Sequence, residues 1–253
     1  MQTQKPKILF KYKSVIGRKT IKNTFDIFKN NQIYLPNCAQ LNDPFEGNFT
    51  QIGIGVAGNG IYAANDMKHY HFTEILNQFK ILSFSETAFS PQMWAYYTDS
   101  YKGICIGFYN NSHFKNLKQV QYSMPSDNFK LLDNHNTIEK IIRSDLTHKH
   151  IDWAHEKEWR IISKTNENFL NFSPQDIACV IVGENSTINI KKLKRMLPVG
   201  TPVLKTFAGN NSFRIRLLEY DYELQFEGFE PPFIDTDKEL YNYLLKQRSA
   251  SKP

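Results

Sequence analysis

Short apolar runs of strand type punctuate the chain, and their irregular spacing constrains the fold more than any other feature. The runs are "ILFKYKS" (8–14), "QIYLP" (32–36), "ILSFSE" (81–86), "GICIGFY" (103–109), "KQVQYS" (118–123), "EKEWRIIS" (156–163), "IACVIVG" (177–183), "TPVLKTF" (201–207) and "FRIRLLEY" (213–220). Each is rich in β-branched and aromatic residues, which suit a pleated, half-buried surface. Helical patterns fall between some of them but not all. Ile21, Phe25 and Phe28 recur at helical spacing in 20–30, behind Thr20 as a cap. Residues 71–80 read as helical. Ser90 and Pro91 open a turn of helix over 90–99, where proline's missing N–H costs nothing. An amphipathic helix is predicted within 137–156, with Ile138, Ile141, Ile142 and Leu146 on one stripe. A basic helix follows near 189–197. A last one at 237–247 starts with the capping box Thr236-x-x-Glu239. This is not the regular alternation of a doubly wound sheet. The expected class is α+β, with mixed or antiparallel central sheets and short flanking helices.

No internal repeat, heptad pattern or clear linker divides the 253 residues, so the chain reads as a single domain over 1–253. No run of about eighteen apolar residues is present, which predicts no membrane-spanning helix. "MQTQKPKILFKYKS" has no apolar core or small-residue cleavage site of a secretory signal. Cys38, Cys105 and Cys179 are odd in number and far apart, as expected of core thiols in a reducing cytoplasm. A cytoplasmic protein is therefore expected. The net charge of +6 biases the chain toward anionic partners. Lys191, Lys192, Lys194 and Arg195 form the one dense basic cluster, read either as a solvated face or as a phosphate contact.

Several segments carry chemistry-bearing residues. "GIGVAG" (53–58) is literally G-x-G-x-x-G, but no convincing strand precedes it and no helix start follows. It reads as part of a glycine-rich surface loop over 52–65. His148, Asp152 and His155 would share one helical face. A polar face is the plain reading, and a metal site the alternative. In "LNDPFEG" (41–47), Asn42 caps a turn that Asp43-Pro44 stiffens, with Phe45 as anchor and Glu46 polar. In "SFSETAFSPQMWAYYTDSYKGICIGF", Trp94, Tyr96, Tyr97 and Tyr101 stand beside Ser83 and Ser85. Such a set either stacks a flat heterocycle while bonding its edge, or builds a core.

The most informative stretch is "DWAHEKEWRII" (152–162). On a strand, alternate residues share a face. Glu156, Glu158 and Arg160 then lie together, with Trp159 and Ile161 behind. Two carboxylates so placed repel, and burial would raise at least one pKa. Arg160 or Lys149 would offset that repulsion. The side is either a wet charged face or a carboxylate pair in a cleft.

Taken in order, "KYKS", "IYLPNCAQLNDPFEG", "LSFSE", "MWAYYTDSYKGICIGF", "VQYS", the E-x-E-W-R-I-I stretch and "VIVGE" resemble the DUF2971 family of bacterial and phage-borne proteins, over roughly 8–220. More distantly, the layout is similar to ADP-ribosyltransferases and their split β-sandwich. That resemblance implies NAD as substrate. A first strand would offer Lys11, Tyr12 and Lys13, and a second Ser83 and Ser85. A third would carry Glu158 as the catalytic carboxylate, with Glu156 as its upstream partner. Trp94 and Tyr97 would stand near the nicotinamide. The glycine-rich loop would serve as lid or acceptor-recognition loop, and no metal would be needed. The first motif lacks an unambiguous His or Arg, and the second is not a clean S-T-S. The implied function is an effector that transfers ADP-ribose to a protein or nucleic-acid acceptor, in a toxin or phage-defence setting. Two alternatives come from other classes: a non-catalytic nucleic-acid-binding or sensor protein, and a metal-dependent nuclease using Asp43, Glu156 and Glu158.

Overall fold

The computed structural model describes residues 4–43, 74–124, 138–208, 214–221 and 231–250. The glycine-rich stretch 52–65, with Phe45 and Glu46, lies outside them. The expected class holds: a large mixed sheet carries short helices. The eight strands run in the order β12-β11-β10-β4-β1-β3-β8-β5. They are β1 (Ile8–Lys13), β3 (Phe79–Ser85), β4 (Ile104–Tyr109), β5 (Lys118–Gln119), β8 (Glu158–Lys164), β10 (Ile177–Val182), β11 (Val203–Ala208) and β12 (Ile215–Glu219). Within this sheet, β10 and β11 are the one parallel pair among the described residues. Two small two-stranded sheets complete the set. One joins β2 (Gln32–Tyr34) to β9 (Phe169–Asn171). The other joins β6 (Gln121–Ser123) to β7 (His148–His150).

Continuity of the large sheet depends on one pair. β1 matches β4 along its whole length but meets β3 only at Phe10↔Ser85. Beyond that pair the edge of β3 finds other partners, because a buried strand edge cannot leave its polar groups unmade. The Ser83 carbonyl accepts from Lys11 Nζ at 2.8 Å, and Ile81 N–H donates to the Pro36 carbonyl at 2.8 Å.

Alternation along the strands fills both faces. Leu9, Leu82, Phe84, Ile104, Ile106, Phe108, Trp159 and Ile161 form a core with Phe25 and Phe28 of α1 (Arg18–Asn30) on one side. Phe10, Tyr12, Cys105, Cys179 and Ile181 face the other way. They pack against Trp94 of α2 (Pro91–Tyr97) and Leu240 and Leu244 of α5 (Asp237–Ala250). All three cysteines are buried, and none forms a disulfide.

Local signals account for most helix starts. Ser90 caps α2 by accepting from Met93 N–H, with Pro91 at the first position. Asn189 caps α4 (Ile190–Lys194). Thr236 Oγ1 accepts from Glu239 N–H at the start of α5, while Glu239 returns to Asp235 N–H. Thr20 is not the cap of α1; the helix begins at Arg18, after Gly17 at φ 82°. A second correction is larger. The helix predicted within 137–156 is α3 (Ile138–Asp145) alone. β7 follows, and then a 3₁₀ turn over Ile151–Glu156. The apolar stripe ends at Leu146, and the run after it has poor helix formers. Those residues gain more by pairing Lys149 with Tyr122 across β7 and β6. "KQVQYS" is likewise two short strands, separated at Val120.

Candidate functional site

β3 and β8 pair along seven residues, which sets Ser83 opposite Arg160 and Ser85 opposite Glu158. Glu158 opens β8. Glu156 sits two residues earlier, at the end of the 3₁₀ turn, and Lys157 between them is left-handed at φ 44°. The two carboxylates therefore do not share a continuous strand face. They meet because the turn delivers Glu156 beside the strand.

The charged side is not wet. Glu156 is 2% exposed, Glu158 5% and Arg160 1%. Burying charges at this depth is tolerated only with close partners and further hydrogen bonds. Arg160 Nε donates to Glu158 Oε1 at 2.7 Å, and a terminal nitrogen donates to Oε2 at 2.8 Å. Its other terminal nitrogen donates to the Leu146 carbonyl at 2.7 Å. Lys149 Nζ reaches Glu156 Oε2 at 2.6 Å and Glu158 Oε2 at 3.3 Å. It also lies 5.0 Å from the centre of the Trp153 ring. Tyr97 donates its hydroxyl to Glu156 Oε1 and is itself bonded to the Asn42 side chain. The Ser83 hydroxyl bonds Glu158. Glu158 N–H donates to the Tyr122 hydroxyl at 2.8 Å. Ser85 Oγ donates to the Glu156 carbonyl at 2.7 Å and fixes the turn.

These surroundings drive the two carboxyls apart. Burial and the charge of Glu158 raise Glu156, although Lys149 and Tyr97 oppose the rise. Burial alone would raise Glu158 as well, but Arg160 and Lys149 overcome it and hold that group at about 2. Two neighbouring acids with opposed shifts are the usual arrangement for splitting acid and base roles. On β1, burial and Lys13 pull the Lys11 ammonium down to about 7.

The residues named from sequence thus fall into two groups. Lys11, Ser83, Ser85, Tyr97, Glu156 and Glu158 are brought together by β1, β3, α2 and β8. Tyr12 and Trp94 are core residues. The Tyr12 hydroxyl donates to the Thr87 carbonyl at 2.9 Å, and its ring meets Trp94 edge-on at 5.3 Å. Trp94 is fully buried, stacks on Tyr101 at 5.8 Å and donates to the Ala88 carbonyl. Its place facing a ligand is corrected accordingly. Lys13 is half-buried on β1. His148, Asp152 and His155 share no helical face, since they stand on a strand and a 3₁₀ turn. No group of three or more His, Cys, Asp or Glu among the described residues is arranged to hold a metal ion, and Asp43, Glu156 and Glu158 form none. In the basic cluster, Lys192 lies over the Phe25 ring at 4.9 Å and Lys194 pairs with Asp221. Sequence reasoning missed Tyr122 and the reach of Asn42 to Tyr97. It knew Lys149 only as a nearby cation. An ordered set of motifs was the one signal that could have grouped Asn42, Tyr97 and Glu156.

Residues 93–161 match the model of the DUF2971 family, described as a protein of unknown function. The matched stretch holds Tyr97, Tyr122, Lys149, Glu156, Glu158 and Arg160, most of the buried charged network. No curated protein matches the chain, and no solved structure does. No helix among the described residues is long and apolar enough to cross a membrane.

Proposed function

We propose that the chain is an ADP-ribosyltransferase-like effector that takes NAD as substrate and passes ADP-ribose to a macromolecular acceptor, in a toxin or phage-defence setting. One observation carries the reading. Three strands far apart in sequence lie side by side as β1-β3-β8, and their polar residues meet: Lys11 bonds the Ser83 carbonyl and the Ser83 hydroxyl bonds Glu158. The single β1–β3 pair supports a sheet that divides at this point, as the likeness implies.

The chemistry follows from the two carboxyls. When the bond between nicotinamide and ribose breaks, its electron pair leaves with nicotinamide, and positive charge develops at the sugar. Glu158 is held ionised, so it stabilises that charge. The acceptor's nucleophile then bonds the anomeric carbon and gives its proton to Glu156, whose affinity for protons is raised. Arg160 keeps Glu158 aligned, and a ribose hydroxyl would share that carboxylate.

Incubation with labelled NAD and cell lysate tests the reading. Wild type should label an acceptor, and Glu158→Gln should not, at temperatures where both are folded. No transfer, no NAD consumption and no NAD binding by calorimetry would end it.

A further inference from the structure

The buried acids are fully engaged, and that leaves a surplus of positive charge. Glu158 is gripped by Arg160, and Glu156 by Tyr97 and Lys149. Two acids and two fixed cations balance. Lys11 and Lys13 are left over on β1. They alternate with Phe10 and Tyr12, so they project to one side of the strand. Their Cα atoms are about 6.5–7 Å apart. Lys11 gives its hydrogen bond to a neutral carbonyl, that of Ser83. Lys13 has no hydrogen-bond or ion-pair partner among the described residues. Both residues are half-buried, on the part of β1 that lies beyond its one pair with β3.

A pair of desolvated cations without a counter-ion is costly by itself and is relieved by an anion. The geometry points to a diphosphate site at the β1–β3 gap, with Lys11 and Lys13 each taking one phosphoryl group. Lysine serves well here as a flexible point charge. Burial first, then Lys13 and Arg160, favour the neutral form of Lys11, against the pull of Glu158 and Glu156. Burial lowers Lys13 in the same direction. A bound anion reverses both effects, so binding draws in protons. The site stands without the transferase reading; that reading only adds that the diphosphate belongs to a dinucleotide.

Calorimetry on the full chain at about pH 8 tests this, using inorganic pyrophosphate and orthophosphate in two buffers of different ionisation enthalpy. Pyrophosphate should bind about tenfold or more tighter than orthophosphate, with proton uptake. Lys11→Met and Lys13→Met should each weaken it about tenfold, and Lys191→Met should not. ADP-ribose should compete with pyrophosphate. Equal binding of the two anions, no effect of either β1 substitution, or binding of ADP-ribose without competition overturns the proposal. Lys13 has no partner to lose, so Lys13→Met keeps the test open if Lys11→Met fails to fold. Pyrophosphate binding without label transfer would remove the transferase reading and leave this site. Label transfer without pyrophosphate binding would do the reverse.

Discussion

Arg160 and Glu158, two residues apart on β8, face each other through two parallel hydrogen bonds of 2.7 and 2.8 Å. Side-by-side pairing of this kind fixes the plane of the carboxylate as well as its charge. Removing one partner strands the other in the interior. Arg160→Leu should therefore cost about 3–5 kcal/mol in urea unfolding, while the double change with Glu158→Leu should recover much of it. A single-variant cost below about 1 kcal/mol would mean the pair is solvated in practice.

The same groups set the pH dependence of stability. Glu158 titrates at about 2 in the folded chain, against an ordinary value of 4.5. Its contribution is complete above about 4.5 and is lost as pH falls toward 2. Lys11 behaves oppositely, because its folded value is lowered to about 7 from 10.5. The unfolded chain binds more protons between those values, so the Lys11 contribution improves as pH rises above about 7. Melting temperature against pH should lose that alkaline rise in Lys11→Met. A wild-type profile parallel to that of Lys11→Met over pH 7 to about 10 would contradict the assignment.

Tyr97 tunes Glu156 directly. Its hydroxyl favours the ionised form of that carboxyl. Tyr97→Phe keeps the ring and removes the bond, so Glu156 should hold its proton to higher pH. On the proposed reading, the acid limb of NAD consumption should shift upward in pH, with little change in the alkaline limb. An unmoved acid limb in a folded variant would exclude Glu156 as the proton acceptor.

The thiols should be silent. Burial raises Cys105 well above the usual range and Cys179 to about 12, and Cys38 is buried too. Thiolate is the reactive form, so a disulfide reagent should modify none of the three in the folded chain and all of them in denaturant. Rapid modification of one thiol under native conditions would show a local opening there.

Strands were legible because buried ones read as continuous apolar runs: "GICIGFY" and "IACVIVG" became β4 and β10 almost residue for residue. Helix starts were legible where a side chain makes the cap, as at Ser90 and Thr236. The segment 137–156 was not, since the pairing of Tyr122 with Lys149 is a tertiary event that overrides a local stripe. For the same reason sequence alone left the charge of "EKEWR" between a wet face and a buried pair. Burial of a carboxylate depends on what comes to meet it, and Lys149, Tyr97 and Tyr122 arrive from three other elements. Trp94 shows the converse. An aromatic ring beside polar residues has one signature whether it binds a ligand or fills a core, and only its neighbours decide.

The placement of β1 has a consequence for biosynthesis. Among the strands of the large sheet this one is made first, yet it lies between β3 and β4, which begin at Phe79 and Ile104. At roughly 5–20 residues per second, a nascent chain carries "ILFKYK" unpaired for several seconds. An exposed apolar strand in that interval is an invitation to pair with a neighbouring chain. Charges interrupting such a run act as gatekeepers against aggregation. Lys11 and Lys13 would thus guard the chain on the ribosome before β3 and β4 exist to shelter it.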